Sequence, residues 1–210
     1  FTDGSGGLHS RDPRLRSCGW AYTSLQQRQE AQQTYALASG VFGALPGSRQ
    51  TVPRAELYAV LMLLLHITQA ESTAVPSSVQ VWTDCQYVVR GFMRRRSCTS
   101  KNWDLWCRCY RALDTPTTPK IVVSKLWKSH AEPQHIAAGC ISAKHVTGNF
   151  IADALAAQGA SKIAPSQELV ESVRAVDSRT WLVQRRILHA ARLAAAAARE
   201  VEPRLRARPR

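Results

Sequence analysis

FTDGSGG, residues 1–7, sets a carboxylate inside a short β-prone stretch and follows it at once with glycine and serine. Two readings compete for it. A phosphate-cradling glycine loop would end in Gly-Lys-Ser/Thr, and that ending is missing. A short strand that carries Asp3 into a metal site and then turns sharply fits the same residues, but it needs acidic partners from the rest of the chain.

The chain has 210 residues, 45% of them apolar, enough for one domain of about 150 residues with an appendage. Its longest nearly unbroken apolar run, Leu57 to Leu65, is too short for a bilayer span of roughly 20 residues. No signal peptide precedes the first strand, so an intracellular protein, nuclear or cytoplasmic and not secreted, is expected. Six cysteines are present, and the one close pair, Cys107 and Cys109, lies in a helical stretch where residues two apart do not face each other. Reduced structural thiols are expected rather than disulfides or a zinc site. Lys and Arg number 28 against 15 Asp and Glu, a net charge of +13 that favours a polyanionic partner such as nucleic acid.

Strand signals come first, at Phe1 to Ser5, Cys18 to Thr23 and Thr34 to Phe42, and read as an antiparallel meander. PRAELYAVLMLLLHITQA, residues 53–70, then reads as a helix with Pro53 in its first turn. Val79 to Asp84 alternates like a half-buried strand and runs into a helix at Gln86 to Met93. Asn102 to Leu113 is helical by period, and Lys120 to Trp127 is a β-branched strand. A long loop at 131–148, with a short helix at Gln134 to Ala138, leads to a last core helix capped by Asn149. The expected order is βββαβαβα. Beyond residue 160 the composition shifts to Arg, Ala, Val and Glu, with 11 basic and 5 acidic residues over 161–210. That segment reads as a basic helical extension with a frayed tail, either a solvated helix or one that clamps nucleic acid or a partner.

Ten carboxylates fall within residues 1–160, and four stand at element ends where a site can converge. Asp3 lies in the first strand and Asp84 ends the fourth. Glu56 and Asp153 are each expected in the first turn of a helix. One buried acid could be paired with Arg54 or Lys128, but that would hardly explain four. Four converging carboxylates suit a hard divalent cation such as Mg²⁺. Two such ions about 4 Å apart can activate water and stabilise a leaving oxygen in phosphodiester cleavage. The metals would also reconcile an acidic site with a basic protein.

FTDGSG, PRAELYAV, TDCQYVVRG, KNWDLW, LWKSH and GNFIADALA stand in the order of the motifs of type 1 ribonuclease H, and the chain resembles that family over roughly residues 1–160. The resemblance implies an α/β ribonuclease H-like fold, a mixed five-stranded sheet with strand 1 central and helices on both faces. It implies hydrolysis of the RNA strand of an RNA/DNA hybrid, dependent on two Mg²⁺ ions that Mn²⁺ can replace, leaving 5′-phosphate and 3′-hydroxyl ends. By the same resemblance Asp3, Glu56, Asp84 and Asp153 are the metal-binding catalytic carboxylates. His130 in LWKSH matches the family histidine that assists proton transfer or product release, with His145 in the same loop as the alternative. Gln86 matches a minor-groove glutamine, Gly4 and Ser5 would lie beside the metals, and Thr51 matches a phosphate-contacting threonine.

The chain departs from the family in two places. Val52 and Pro53 replace asparagines that often touch substrate, and the basic protrusion of many bacterial members is reduced to Arg94, Arg95, Arg96 and Lys101. Modest affinity for the hybrid is therefore expected, with reliance on the basic extension or on a fused or associated reverse transcriptase. A start at Phe1 suggests a fragment of a retroelement-type polyprotein whose first strand begins further upstream. A monomer is expected. The competing reading is a ribonuclease H-like module that binds nucleic acid or a partner without cleaving.

Overall fold

The computed structural model describes residues 1–27, 35–70, 77–95, 100–116, 118–126 and 133–206, with side chains through residue 199. Strands β1 (Thr2–Ser5), β2 (Gly19–Gln27) and β3 (Tyr35–Ala44) form an antiparallel sheet in that order, with Asp3 opposite Ala21 and Ala21 opposite Phe42. Strands β4 (Ser78–Thr83) and β5 (Lys120–Lys125) pair in parallel, Val81 opposite Val123. β1 lies next to β4, between the two groups, but the ladders divide the strands into a three-stranded and a two-stranded sheet rather than one continuous sheet of five. β1 has only four residues before Gly6 and Gly7, so it offers little edge for a ladder with β4.

Helix α1 (Val52–Gln69) forms because Leu57, Val60, Leu61 and Leu64 recur at helical spacing and Pro53 sits in its first turn, where no amide partner is needed. That stripe packs on Trp106, Cys109 and Tyr110 of α3 (Trp103–Leu113) to make the largest buried cluster. Each fully buried leucine contributes about 2 kcal/mol by removal from water.

Between β4 and β5 stand two helices, α2 (Gln86–Arg94) and α3, at the two stretches read as helical, although the order βββαβαβα counts them as one. Positive φ at Arg95 (33°) and Asn102 (59°) breaks the path between them. A Cβ on Gly91 of α2 would run into the Trp106 indole, so α2 and α3 meet with that ring between them.

A short helix α4 (Pro133–Ala137) precedes α5 (Ala143–Ser161). Asn149, expected as the cap, lies within α5, which begins at Ala143. Gly148, expected at the end of the loop, lies within α5, and its missing side chain makes room for the Phe1 ring. α5 also approaches the three-stranded sheet backbone to backbone. A Cβ on Gly19 would enter the main chain at Ala156 and Ala160, and one on Gly159 would enter the main chain of Gly43.

The chain divides into two compact units, Phe1–Ala164 and Pro165–Arg210. The second is dominated by one 40-residue helix, α6 (Gln167–Arg206). Among the described residues no helix is long and apolar enough to cross a membrane. The cysteines among them are free thiols.

Candidate active site

Asp3, Glu56 and Asp84 come together at the seam between the sheets, with one carboxylate oxygen of each lying within 4.8 Å of the others. Alternation along β1 puts Gly4 on the α1 side of the sheet and Asp3 on the other, and Asp84 follows β4 directly. Glu56 arrives because α1 crosses β1 at main-chain distance. A Cβ on Gly4 would lie 2.8 Å from the Ala55 carbonyl carbon and closer still to the Glu56 nitrogen. Glu56 stands in the second turn of α1 rather than the first, since the helix begins at Val52.

Gly4 therefore sets the spacing of two carboxylates, and its N–H donates to Asp3 Oδ1 at 2.8 Å. The tight turn belongs instead to Gly7, at φ +67°, whose N–H donates to Ser5 Oγ at 3.2 Å. Gly4→Ala is expected to lower stability by about 2 kcal/mol through overpacking and to push Glu56 away from Asp3. Thermal unfolding and the metal response of the variant would check both.

The site is electrostatically loaded. Burial, and next the charge of Asp84, raise the Asp3 carboxyl to about 7 against the opposing Gly4 hydrogen bond. Burial first and Asp3 second push Glu56 well above the usual carboxylate range. Arg54, which could have neutralised one of these acids, is bound to Asp104 instead, with Nη1 donating to Oδ1 at 2.9 Å. Lys128, the other candidate cation, lies outside the described residues. Glu56 Oε2 is buried without a hydrogen-bond partner.

Such a group cannot be fully ionised without a countercharge. An all-oxygen donor set with an orphaned buried oxygen fits a hard divalent cation.

The remaining expected residues are placed less uniformly. Asp153 is exposed and sits well inside α5 rather than in its first turn. It stands outside the group of three, yet its charge contributes to raising Asp3. Gln86 is the half-buried first residue of α2. Thr51 is the exposed N-cap residue of α1, with no side-chain capping bond. His130 lies outside the described residues. His145, in the first turn of α5, has Nδ1 2.9 Å from Ser142 Oγ. Its ring meets Trp82 edge-on at 4.3 Å and Phe1 at 6.1 Å, and burial pushes its pKa down.

The sequence reading missed a groove of about 570 Å³ between the Gly47 turn and the start of α3, lined among others by Arg49, Arg54, Lys101 and Asn102. Three separate segments supply those basic groups, so no local pattern announces the groove.

A family model described as RNase H matches residues 1–161. The chain belongs to the RNase H family. No curated protein sequence matches it significantly. This RNase H shares its fold with the solution structure of the PFV (prototype foamy virus) RNase H domain, at 21% identity and a TM-score of 0.53, covering 76% of this chain and 92% of that one. It matches the foamy viral protease-reverse transcriptase in complex with an RNA/DNA hybrid at 21% identity and a TM-score of 0.52, covering 77% of this chain and 20% of that chain. The same protease-reverse transcriptase in complex with dsDNA gives 22% identity and a TM-score of 0.51, covering 77% and 92%. The chain thus spans about a fifth of the longer foamy viral chain. As a family member it is a ribonuclease H.

Proposed function

We propose that this RNase H hydrolyses the RNA strand of RNA/DNA hybrids with two Mg²⁺ ions, leaving 5′-phosphate and 3′-hydroxyl ends. The observation that carries the proposal is the group of buried Asp3 and Glu56 with half-buried Asp84, each charge opposing the ionisation of Asp3 or Glu56, and with Glu56 Oε2 unpartnered. Those three carboxylates, with Asp153 from the exposed face of α5, would hold the ions, and Mn²⁺ would serve in place of Mg²⁺. When bound, the ions supply Lewis acidity toward the phosphodiester and a water of lowered pKa.

The chain's own residues do the rest. Asp3 and Glu56 are held by the β1–α1 crossing at Gly4, so the acidic cluster exists before substrate arrives and needs no reorganisation. Asp153, outside the group of three, would join it from α5 when the ions are bound. His130 is assigned proton transfer by its place in LWKSH, a role an imidazole fills near neutral pH. Gln86 would read the minor groove, where 2′-hydroxyls mark RNA. Gly4 and Ser5 would border the reacting phosphate, and Thr51 would touch a neighbouring phosphate.

The net charge of +13 and the groove bearing Arg49 and Lys101 suit a polyanionic duplex. Association with a reverse transcriptase, in a retroelement setting inside the cell, goes with the likeness to the foamy viral structures.

The test is cleavage of an end-labelled RNA strand in a hybrid with Mg²⁺, alongside single-stranded RNA and duplex DNA, with and without chelator. We expect hybrid-specific cutting, abolished by chelator, with RNA products that a polymerase can extend from their 3′ ends. An intact hybrid in both Mg²⁺ and Mn²⁺ would refute the enzyme and favour a binding module. Duplex DNA cleavage would move the protein to another nuclease class.

A further inference from the structure

Along α6 one uncharged row repeats on a heptad, while the exposed Trp181, Leu182, Leu188 and Leu193 lie outside it. Leu169, Val173, Val176, Thr180, Val183 and Ile187 alternate at spacings of four and three, and Ala190, Ala194 and Ala197 continue the row. Val176 is 56% exposed, Val183 54% and Ile187 62%. A stripe that repeats every 3.5 residues over about four heptads stays in line only along a partner that supercoils with it. Arg185, Arg192 and Arg199 also stand seven residues apart, on the face away from that stripe. Trp181 lies off the stripe, with the Arg185 guanidinium 5.3 Å from its ring centroid.

We propose that α6 pairs with the α6 of a second copy of this chain as a parallel two-stranded coiled coil, with both arginine rows facing outward. The seam is uncharged and its repeat matches itself, which suits an identical helix better than an acidic partner. Valine, threonine and isoleucine at positions 173, 180 and 187 are the β-branched residues that favour two strands at the first seam position of each heptad.

Charge sets the direction. In parallel pairing the flanking positions bring Ser172 against Asp177, Arg179 against Gln184 and Arg186 against Ala191, with no like charges meeting. Reversing one helix about the same seam would set Arg179 and Arg186 of the two chains against each other. The seam replaces the monomer expected from the sequence with a dimer, and it does not depend on the catalytic reading.

Sedimentation equilibrium of the full chain at tens of micromolar is expected to give twice the single-chain mass of 23.3 kDa. Val183→Lys combined with Ile187→Lys should halve that mass. Changing Arg185, Arg192 and Arg199 together to Gln should leave it doubled, which controls for general damage to the helix. After oxidation of a Val183→Cys variant, peptide mass mapping should find position 183 linked to position 183 of the second copy. Single-chain mass for the unmodified protein, a dimer that survives the two lysines, or a dimer lost with the arginines would each overturn the proposal. A persistent dimer without the 183–183 link would overturn its parallel direction.

Discussion

Asp84→Asn is expected to lower hybrid cleavage about a thousandfold, equivalent to roughly 4 kcal/mol of transition-state stabilisation, while raising the melting temperature of the metal-free protein. The two effects have one cause. Asp84 is the largest charge effect holding the Asp3 carboxyl up, second only to burial, and it also raises Glu56. Asparagine keeps the shape of the side chain and removes the charge, so the metal-free cluster relaxes while its affinity for a divalent cation falls. A residue with a merely structural role would lose stability along with activity. Single-turnover cleavage and thermal melting of the same preparations separate the cases. Retained activity, or a melting temperature that falls with it, would remove Asp84 from the proposed site.

The second large effect concerns pH. In the folded chain Asp3 binds its proton up to about 7, whereas its ordinary value is 3.8. The folded state therefore holds more protons than the unfolded state across that window. The contribution is fully present below about 4 and is lost as pH rises through 7, on the order of 4 kcal/mol for a shift of this size. Glu56 is displaced in the same direction.

Metal-free protein should thus melt at progressively lower temperature from pH 5 to pH 8. Mg²⁺, binding only the folded state, should restore much of the loss at pH 8, about 2.7 kcal/mol at a hundredfold excess over Kd. At pH 5 it should do little, because protons already occupy the site. Other groups titrate in this range, and the difference between wild type and Asp84→Asn isolates the cluster. A metal-free melting curve equally flat in both proteins, or equal stabilisation by Mg²⁺ at pH 5 and pH 8, would contradict the arrangement.

What could be read in the sequence was local. Asp3 and Asp84 were legible because each closes or interrupts a strand pattern, where a carboxylate needs a reason. Glu56 was legible as a helix-start acid but was displaced by one turn, since helix bounds depend on where the first hydrogen bonds close rather than on Pro53 alone. Asp153 was displaced further because Asn149 imitates a helix cap while the helix begins at Ala143, and Gly148 inside it makes room for the Phe1 ring from the opposite end of the unit. The basic groove and the route of Arg54 to Asp104 were illegible for the same reason. They join residues about fifty positions apart, and no window along the chain contains both. The heptad of α6 is periodic and local, and it stands in the sequence as plainly as in the helix.

The glycine contact between α5 and the sheet bears on how such a chain can diverge. Where Gly19 and Gly159 meet the opposing main chain, the gap between layers is set by peptide atoms that every protein shares. Apolar residues elsewhere in that layer can exchange in type and size, with the helix still resting on the same backbone stops. The carboxylate on α5 then keeps its height above β1 while the interior drifts. Over long evolutionary times the expected pattern is a changeable interior around two fixed glycines, so that sequence likeness can fade well before the spacing of the acids does.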